Sequence, residues 1–324
     1  SSWILLFLFG VFYMITLQRH TFKALEGGRL GGRNFFIVDV FAERKYAGNQ
    51  LAVFPEGGSF TEEEMKLLSR ETNFSEVTFI MPGRSGEGGF NVRIFSLDEE
   101  LPFAGHPTLG TAYIIQRHFI EEEVPQVILN LPVGPIPVAI TYHGGEPETL
   151  FMRQAQPSFG EIINPAAVAE VLNIDTSEID ARYPVQEVST GLPFIIVPLK
   201  SLQVQRGIRV NIERFISLVE TVEAKSIYVF CPEAYSPEND FNARMFDYYN
   251  GIPEDPATGS AAGCLAAYLL KYRYCGAEAL DLRVEQGTEI KRPSLIRIRA
   301  AARGGQMEIN VGGRVIPVAE GRLL

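Results

Sequence analysis

The stretch PATGSA at residues 256–261 opens a long apolar helix, and a similar stretch, PTLGTA, stands at residues 107–112. Each has a proline, a glycine three residues later, and then a hydroxyl residue and an alanine. Helices are predicted over residues 108–118 and 259–272. Both are rich in small and apolar residues. The repeat therefore indicates a chain built from two similar halves.

Short runs rich in Val, Ile and Phe surround both helices and are predicted to form strands. Residues 126–131 and 136–141 predict a hairpin, and the chain from residue 282 onward predicts further strands. Thr61, followed by Glu64 three residues later, predicts the start of another helix, because the pair forms a capping box. The stretch 143–149 contains two glycines and a proline and predicts a boundary between domains 34–147 and 148–324. The C-terminal strands can return to the first domain.

The first 33 residues do not follow this pattern. Residues 3–17 are almost wholly apolar, but they are shorter than the roughly 20 residues that span a bilayer. A signal peptide would require positive charge before the apolar run, and none precedes residues 3–17. A glycine-rich linker at residues 27–32 separates them from the rest. We therefore expect residues 1–33 to be an extension outside the fold, and we do not favour membrane contact through residues 3–17.

Composition and charge exclude several classes of protein. The chain is 46% hydrophobic and 21% charged, which is ordinary for a globular protein. Its net charge of −10 argues against binding to nucleic acid, which requires a basic face. The spacing of Cys231, Cys264 and Cys275 fits neither a disulfide framework nor a zinc site. We therefore expect a cytoplasmic protein without a bound metal.

The starts of the two predicted helices are candidates for chemistry. A helix N-terminus has unpaired N–H groups and a positive dipole charge, and a glycine there lets a ligand approach the backbone. Two such ends, near Gly110 and Gly259, would hold an anion or a developing enolate if they faced each other across a cleft. The alternative is that both glycines simply form turns.

Four polar residues lie close to these helices or to a strand. Glu76 stands among apolar residues before a predicted strand, where burial would raise its pKa and suit it to proton transfer. His106 could donate to an anion, Asp255 could orient a substrate, and Ser260 could contact a ligand from the first turn of its helix. For each of them the alternative is a local structural role in a turn, a helix cap or an exposed strand end.

The motifs together resemble the PhzF-like family of phenazine biosynthesis. The matching segments stand in the family's order from about residue 34 to near the end of the chain: DVF at 39–41, GNQLAV at 48–53, ETNFSEVTF at 71–79, LPFAGHPTLG at 101–110 and EDPATGSAA at 254–262. Residues 1–33 lie outside the resemblance. The combination is far more specific than any single segment.

The resemblance implies an α+β fold with two similar halves like those of diaminopimelate epimerase, each a curled β-sheet around a central helix, with a cleft between them. In the family's characterised member, a glutamate moves a proton within dihydro-hydroxyanthranilic acid. Glu76 matches that glutamate, and His106, Asp255 and Ser260 match its companions. The resemblance thus implies a cofactor-independent isomerase of a small carboxylate. We also expect substrate contacts from Asn49, Gly105, Gly110 and Gly259, and a homodimer.

Two other functions are compatible with the sequence. An epimerase of an amino or hydroxy acid would use the same cleft, although enzymes of this fold that use thiols carry them at the helix starts. Cys264 lies five residues past Gly259, inside the predicted helix, so a two-thiol racemase is not expected. A binding protein that keeps the fold without turnover is the other alternative.

Overall fold

The computed structural model describes residues 33–85 and 88–324, so the apolar segment and the glycine-rich linker at the N-terminus lie outside the described residues. Within this part of the chain, 18 strands form one continuous sheet. The strands are β1 (Asn34–Val40), β2 (Asn49–Phe54), β3 (Val77–Ser85), β4 (Gly89–Phe95), β5 (Glu100–Leu101), β6 (Gln126–Leu131), β7 (Gly134–His143), β8 (Glu146–Arg153), β9 (Ser158–Ile162), β10 (Gln186–Ser189), β11 (Pro193–Pro198), β12 (Ser226–Cys231), β13 (Phe241–Asp247), β14 (Ile252–Asp255), β15 (Ala279–Gln286), β16 (Ser294–Arg303), β17 (Gln306–Gly313) and β18 (Val315–Arg322). The helices are α1 (Glu62–Thr72), α2 (Gly105–Ile115), α3 (Pro165–Leu172), α4 (Leu202–Gly207), α5 (Ile212–Val219) and α6 (Gly259–Lys271).

Two of these helices are enclosed by the sheet. Helix α2 packs against β1, β2, β3, β6, β7, β8 and β18, and its residues from His106 to Ile115 are buried. Helix α6 packs against β10, β11, β15, β16 and β17. Each half is thus a curled sheet wrapped around a buried helix, as predicted. Such an arrangement covers a helix that is apolar all round on every side.

The chain crosses between the halves more than once. Strands β7 and β8 form a hairpin, and β8 also pairs with β17. The predicted domain boundary at residue 147 falls in β8, and the division into domains stays a prediction. Strand β18 pairs antiparallel with β1, from Asn34 opposite Arg322 to Val40 opposite Val315. The C-terminal strand therefore lies beside the first strand of the first half.

Several local predictions are confirmed, and one boundary is wrong. The Thr61 and Glu64 capping box begins α1, and β6 and β7 form the expected antiparallel hairpin. Helix α2, however, begins at Gly105 rather than at residue 108. A proline is tolerated in the first helical turn because its missing N–H has no partner there. Pro107 therefore lies inside the helix and does not precede it.

None of the helices in the described part of the chain has the length and apolar character that a membrane span needs.

Candidate active site

The N-terminal ends of α2 and α6 meet where the two halves face each other. A Cβ atom placed on Gly105 would lie 3.7 Å from the backbone nitrogen of Ser260 and 3.9 Å from the Cα of Gly259. Gly105 is the first residue of α2, and Gly259 and Ser260 are the first two of α6. The two helix dipoles therefore direct their positive ends toward the same point.

These two ends lack the caps that the other helices have. The side chains of Thr61, Asn164, Ser201 and Asn211 cap α1, α3, α4 and α5. Neither Ala104, which precedes α2, nor Thr258, which precedes α6, provides a side-chain cap. The first N–H groups of α2 and α6 thus have no side-chain acceptor, which suits them to bind an anionic ligand.

Glu76 and His106 form the centre of this site. Glu76 lies just before β3, and His106 is the second residue of α2. The Oε2 atom of Glu76 is 3.5 Å from Nε2 of His106, and the two side chains are 18% and 7% exposed. Both atoms are buried and have no hydrogen-bond partner in the described structure. Because buried polar atoms are normally paired, two adjacent unpaired atoms indicate a place for a ligand or a reacting group.

Burial shifts the pKa values of Glu76 and His106 in opposite directions. Desolvation raises the pKa of Glu76, and a hydrogen bond from Ser75 opposes this only in part. Desolvation lowers the pKa of His106 to about 4, against the opposing effects of Asp255 and a hydrogen bond to the Gln50 backbone. His106 is therefore neutral near pH 7, and its contact with Glu76 is not an ion pair. Glu76 is left as the group that can carry a proton.

Asp255 joins the same cluster from the second half. It is 6% exposed and lies at the end of β14. Its Oδ1 accepts a hydrogen bond of 2.9 Å from Asn49, and its Oδ2 accepts one from the Thr258 hydroxyl. Burial raises the pKa of Asp255 to about 6; the hydrogen bond from Thr258 and the nearby His106 lower it, and the charge of Glu76 raises it. Asp255, His106 and Glu76 are thus electrostatically linked.

Asn49 connects the two halves at this site. It is the first residue of β2 and is 3% exposed. Its amide nitrogen donates to Asp255 at 2.9 Å and to the carbonyl of Ala257 at 3.1 Å. These two bonds use both of its N–H groups. Only its side-chain oxygen could therefore contact a substrate.

The structure brings most of the predicted residues together, but not Gly110. Glu76, His106, Asp255, Asn49, Gly105, Gly259 and Ser260 lie around the two helix ends. Gly110 lies in the middle of α2, where a Cβ atom would be 2.5 Å from Leu51 Cδ2 and 3.0 Å from Val40 Cγ2. Its predicted place at a helix mouth is wrong, because the helix starts five residues earlier. The glycine instead allows α2 to approach β1 and β2 closely.

We expect Gly110→Ala to destabilise the protein by about 1–3 kcal/mol, the usual effect of an extra methyl group in a packed core. Urea unfolding measures this loss. Binding of small carboxylates, followed by calorimetry, should stay unchanged, because the site lies at the other end of the helix. A weaker affinity with unchanged stability would show that Gly110 contacts the ligand after all.

Two buried polar residues beside the site, Thr258 and Gln286, were not among the residues predicted from the sequence. Thr258 stands in the PATGSA stretch, and its hydroxyl bonds to Asp255. Gln286 ends β15 and bonds to both the Asp255 backbone and Thr258. The only sequence signal for Gln286 is a glutamine in a strand that otherwise alternates between apolar and polar residues. Among the described residues, no group of His, Cys, Asp or Glu side chains could hold a metal ion.

The chain is similar to known proteins over most of its length. The family described as phenazine biosynthesis-like protein matches residues 38–321. An uncharacterised isomerase of Mesorhizobium japonicum is 31% identical over 297 residues, which cover 90% of this chain and 98% of the relative. The trans-2,3-dihydro-3-hydroxyanthranilate isomerase of Pseudomonas aeruginosa is 30% identical over 289 residues, or 89% of this chain and 98% of that enzyme.

A solved structure supports the fold directly. The phenazine biosynthesis protein of the PhzF family from Bacillus anthracis superposes with a TM-score of 0.83 at 28% identity. The match covers 90% of this chain and 99% of that structure. The fold that the family resemblance implied is therefore confirmed.

Proposed function

The chain belongs to the phenazine biosynthesis-like protein family and is an isomerase, and from this premise we propose that Glu76 moves a proton within a small substrate that carries a carboxylate. The proposal requires no cofactor. Glu76 acts as base and then as acid, and His106 and Asp255 assist it. The observation that carries the proposal is the unpaired, buried Oε2 of Glu76 beside two uncapped helix ends.

The chemistry is balanced without any external reagent. The Glu76 carboxylate takes a proton from one carbon of the substrate, and the electron pair of that C–H bond moves into the neighbouring π system. The double bond shifts, and Glu76 returns the proton to a different carbon. A raised pKa suits both steps, because the carboxylate is a stronger base and the acid still donates near neutral pH. Nothing is oxidised or reduced.

The helix ends supply the binding of the anion. The substrate carboxylate lies against the N–H groups at the starts of α2 and α6, near Gly105 and Ser260. Negative charge that develops on the substrate during proton transfer meets the same donors. The neutral His106 adds a polar contact without placing a full positive charge beside the base.

An epimerase that uses thiols has less support. Cys264 is buried within α6, where it contacts the hydroxyl of Thr190 and the carbonyl of Leu192. Burial raises the pKa of Cys264 to about 12, so its thiolate is scarce near neutral pH. A thiol-free epimerase would use Glu76 to remove the proton, but it would need a proton delivered to the opposite face of the same carbon, so that the configuration there is inverted.

The test is turnover in deuterated water. We expect the purified protein, treated with a chelator and dialysed, to isomerise trans-2,3-dihydro-3-hydroxyanthranilate or another small cyclic or amino-acid carboxylate from a panel. Mass spectrometry should find up to one deuteron per product, on a carbon that was unsaturated in the substrate. Deuterium on the original carbon with inverted configuration would indicate an epimerase instead. Binding of these carboxylates without any conversion to product would indicate a binding protein and contradict the proposal.

A further inference from the structure

Gln286 is fully buried and uses its whole amide in hydrogen bonds. Its nitrogen donates to the backbone carbonyl of Asp255 at 2.9 Å and to the hydroxyl of Thr258 at 3.0 Å. Its oxygen accepts from the backbone nitrogen of Thr258 at 3.2 Å and from the hydroxyl of Tyr228 at 3.3 Å. Because donors and acceptors are matched on both sides, the amide has one favourable orientation.

This orientation determines what the Thr258 hydroxyl does. A hydroxyl has one proton to donate. Since Thr258 accepts from the Gln286 nitrogen, its own proton is directed to Oδ2 of Asp255. The same contact explains why Thr258 precedes α6 without capping it: its hydroxyl points to the carboxylate and leaves the first N–H groups of the helix free.

We propose that Gln286 is a positioning residue of the active site, which acts through Thr258 to keep a hydrogen-bond donor on Asp255 and the start of α6 open. The proposal rests on the proposed function only in that Asp255 and α6 belong to the site. Gln286 itself bonds to Asp255 only through that residue's backbone carbonyl, and the bond to the carboxylate comes from Thr258.

The effect can be measured on Asp255, whose pKa burial raises to about 6. The titratable groups that influence Asp255 are Glu76 before β3 and His106 in α2, and the charge of Asp255 in turn raises the pKa of Tyr228 in β12. Neither Glu76 nor His106 contacts Gln286; Tyr228 loses the acceptor of its hydroxyl when Gln286 is replaced, but burial raises its pKa and it stays neutral during the titration. Loss of a hydrogen-bond donor to the carboxylate favours the protonated form of Asp255, so its pKa should rise further.

The experiment is a titration of Asp255 by carbon NMR in protein labelled at the aspartate carboxyl carbon, with Asp255→Asn to assign the signal. We expect Gln286→Met and Thr258→Val each to raise the midpoint by about one pH unit, a tenfold change in the protonation equilibrium. Thr258→Ser should keep the wild-type value. If Gln286 acts through Thr258, the double variant should shift no further than Thr258→Val alone.

Gln205 provides the matched control, since it is also fully buried and its side chain bonds to Asn242, in a different network. Gln205→Met should leave the Asp255 midpoint unchanged. If Gln286→Met does not fold, Tyr228→Phe should give a smaller upward shift that disappears when Thr258 is already valine. An unchanged midpoint in Gln286→Met, or additive shifts in the double variant, would overturn the proposal. The titration needs no substrate, so its result is separate from the test of turnover.

Discussion

Glu76→Gln is expected to reduce turnover by at least about 10²–10⁴-fold, the range that general acid–base catalysis supplies. Glutamine keeps the shape of the side chain but cannot take a proton. Substrate binding should change much less, because the helix ends that hold the carboxylate remain. The rate of product formation from the same substrate measures this loss. A near wild-type rate in the variant would remove Glu76 from the mechanism.

The same substitution should increase stability in alkaline solution. Burial raises the pKa of Glu76 above its ordinary value of 4.5, so the folded protein disfavours the carboxylate. The resulting loss of stability is complete above the folded pKa and disappears below the unfolded one. Urea unfolding should therefore show Glu76→Gln to be the more stable form near about pH 8 and equal to wild type near about pH 4. Glu63→Gln, at an exposed position in α1, should change neither rate nor stability.

Much of this site could be predicted from sequence because its residues stand in short local motifs. Glu76 precedes a strand, His106 lies in the first turn of a helix, and Asp255 precedes another helix. The local sequence of each motif therefore determines the secondary structure around its polar residue. The paired stretches at 107–112 and 256–261 also indicated two similar halves, and the family resemblance implied that these halves face each other across a cleft. The start of α2 was predicted three residues late, because a proline reads equally as the end of a loop or as part of a first helical turn.

The rest depends on contacts between residues distant in the chain. Asn49 and Asp255 are 206 residues apart. The sequence around each residue does not show that the side-chain nitrogen of Asn49 donates to Asp255 and to the carbonyl of Ala257. Gln286 looks like any polar residue at a strand end until β15 is placed beside the start of α6. Gly110 shows the converse: its position in a repeat suggested a ligand contact, but the tight packing of α2 on Leu51 accounts for it.

The second large effect is expected at Arg292, which holds the loop before Asn49. Arg292 donates to the carbonyls of Ala47 and Gly48 and pairs with Asp39 at 2.6 Å. Asp39 is only 2% exposed and also accepts from the backbone of Tyr46. The loop needs this support because Gly48 adopts a φ of +68°, where a Cβ atom would lie 2.3 Å from a backbone oxygen.

We expect Arg292→Met to destabilise the protein by about 3–5 kcal/mol, because it leaves the buried carboxylate of Asp39 without its cation. Adding Asp39→Asn should recover part of this loss, since no unpaired charge then remains buried. Arg314→Met is the control: Arg314 pairs with Glu43 at 3.3 Å on the surface, where both are about 40% exposed, and it should cost at most about 1 kcal/mol. Urea unfolding of the four proteins gives these differences. Equal losses in Arg292→Met and Arg314→Met would show that the Asp39 pair does not hold the Asn49 loop in place.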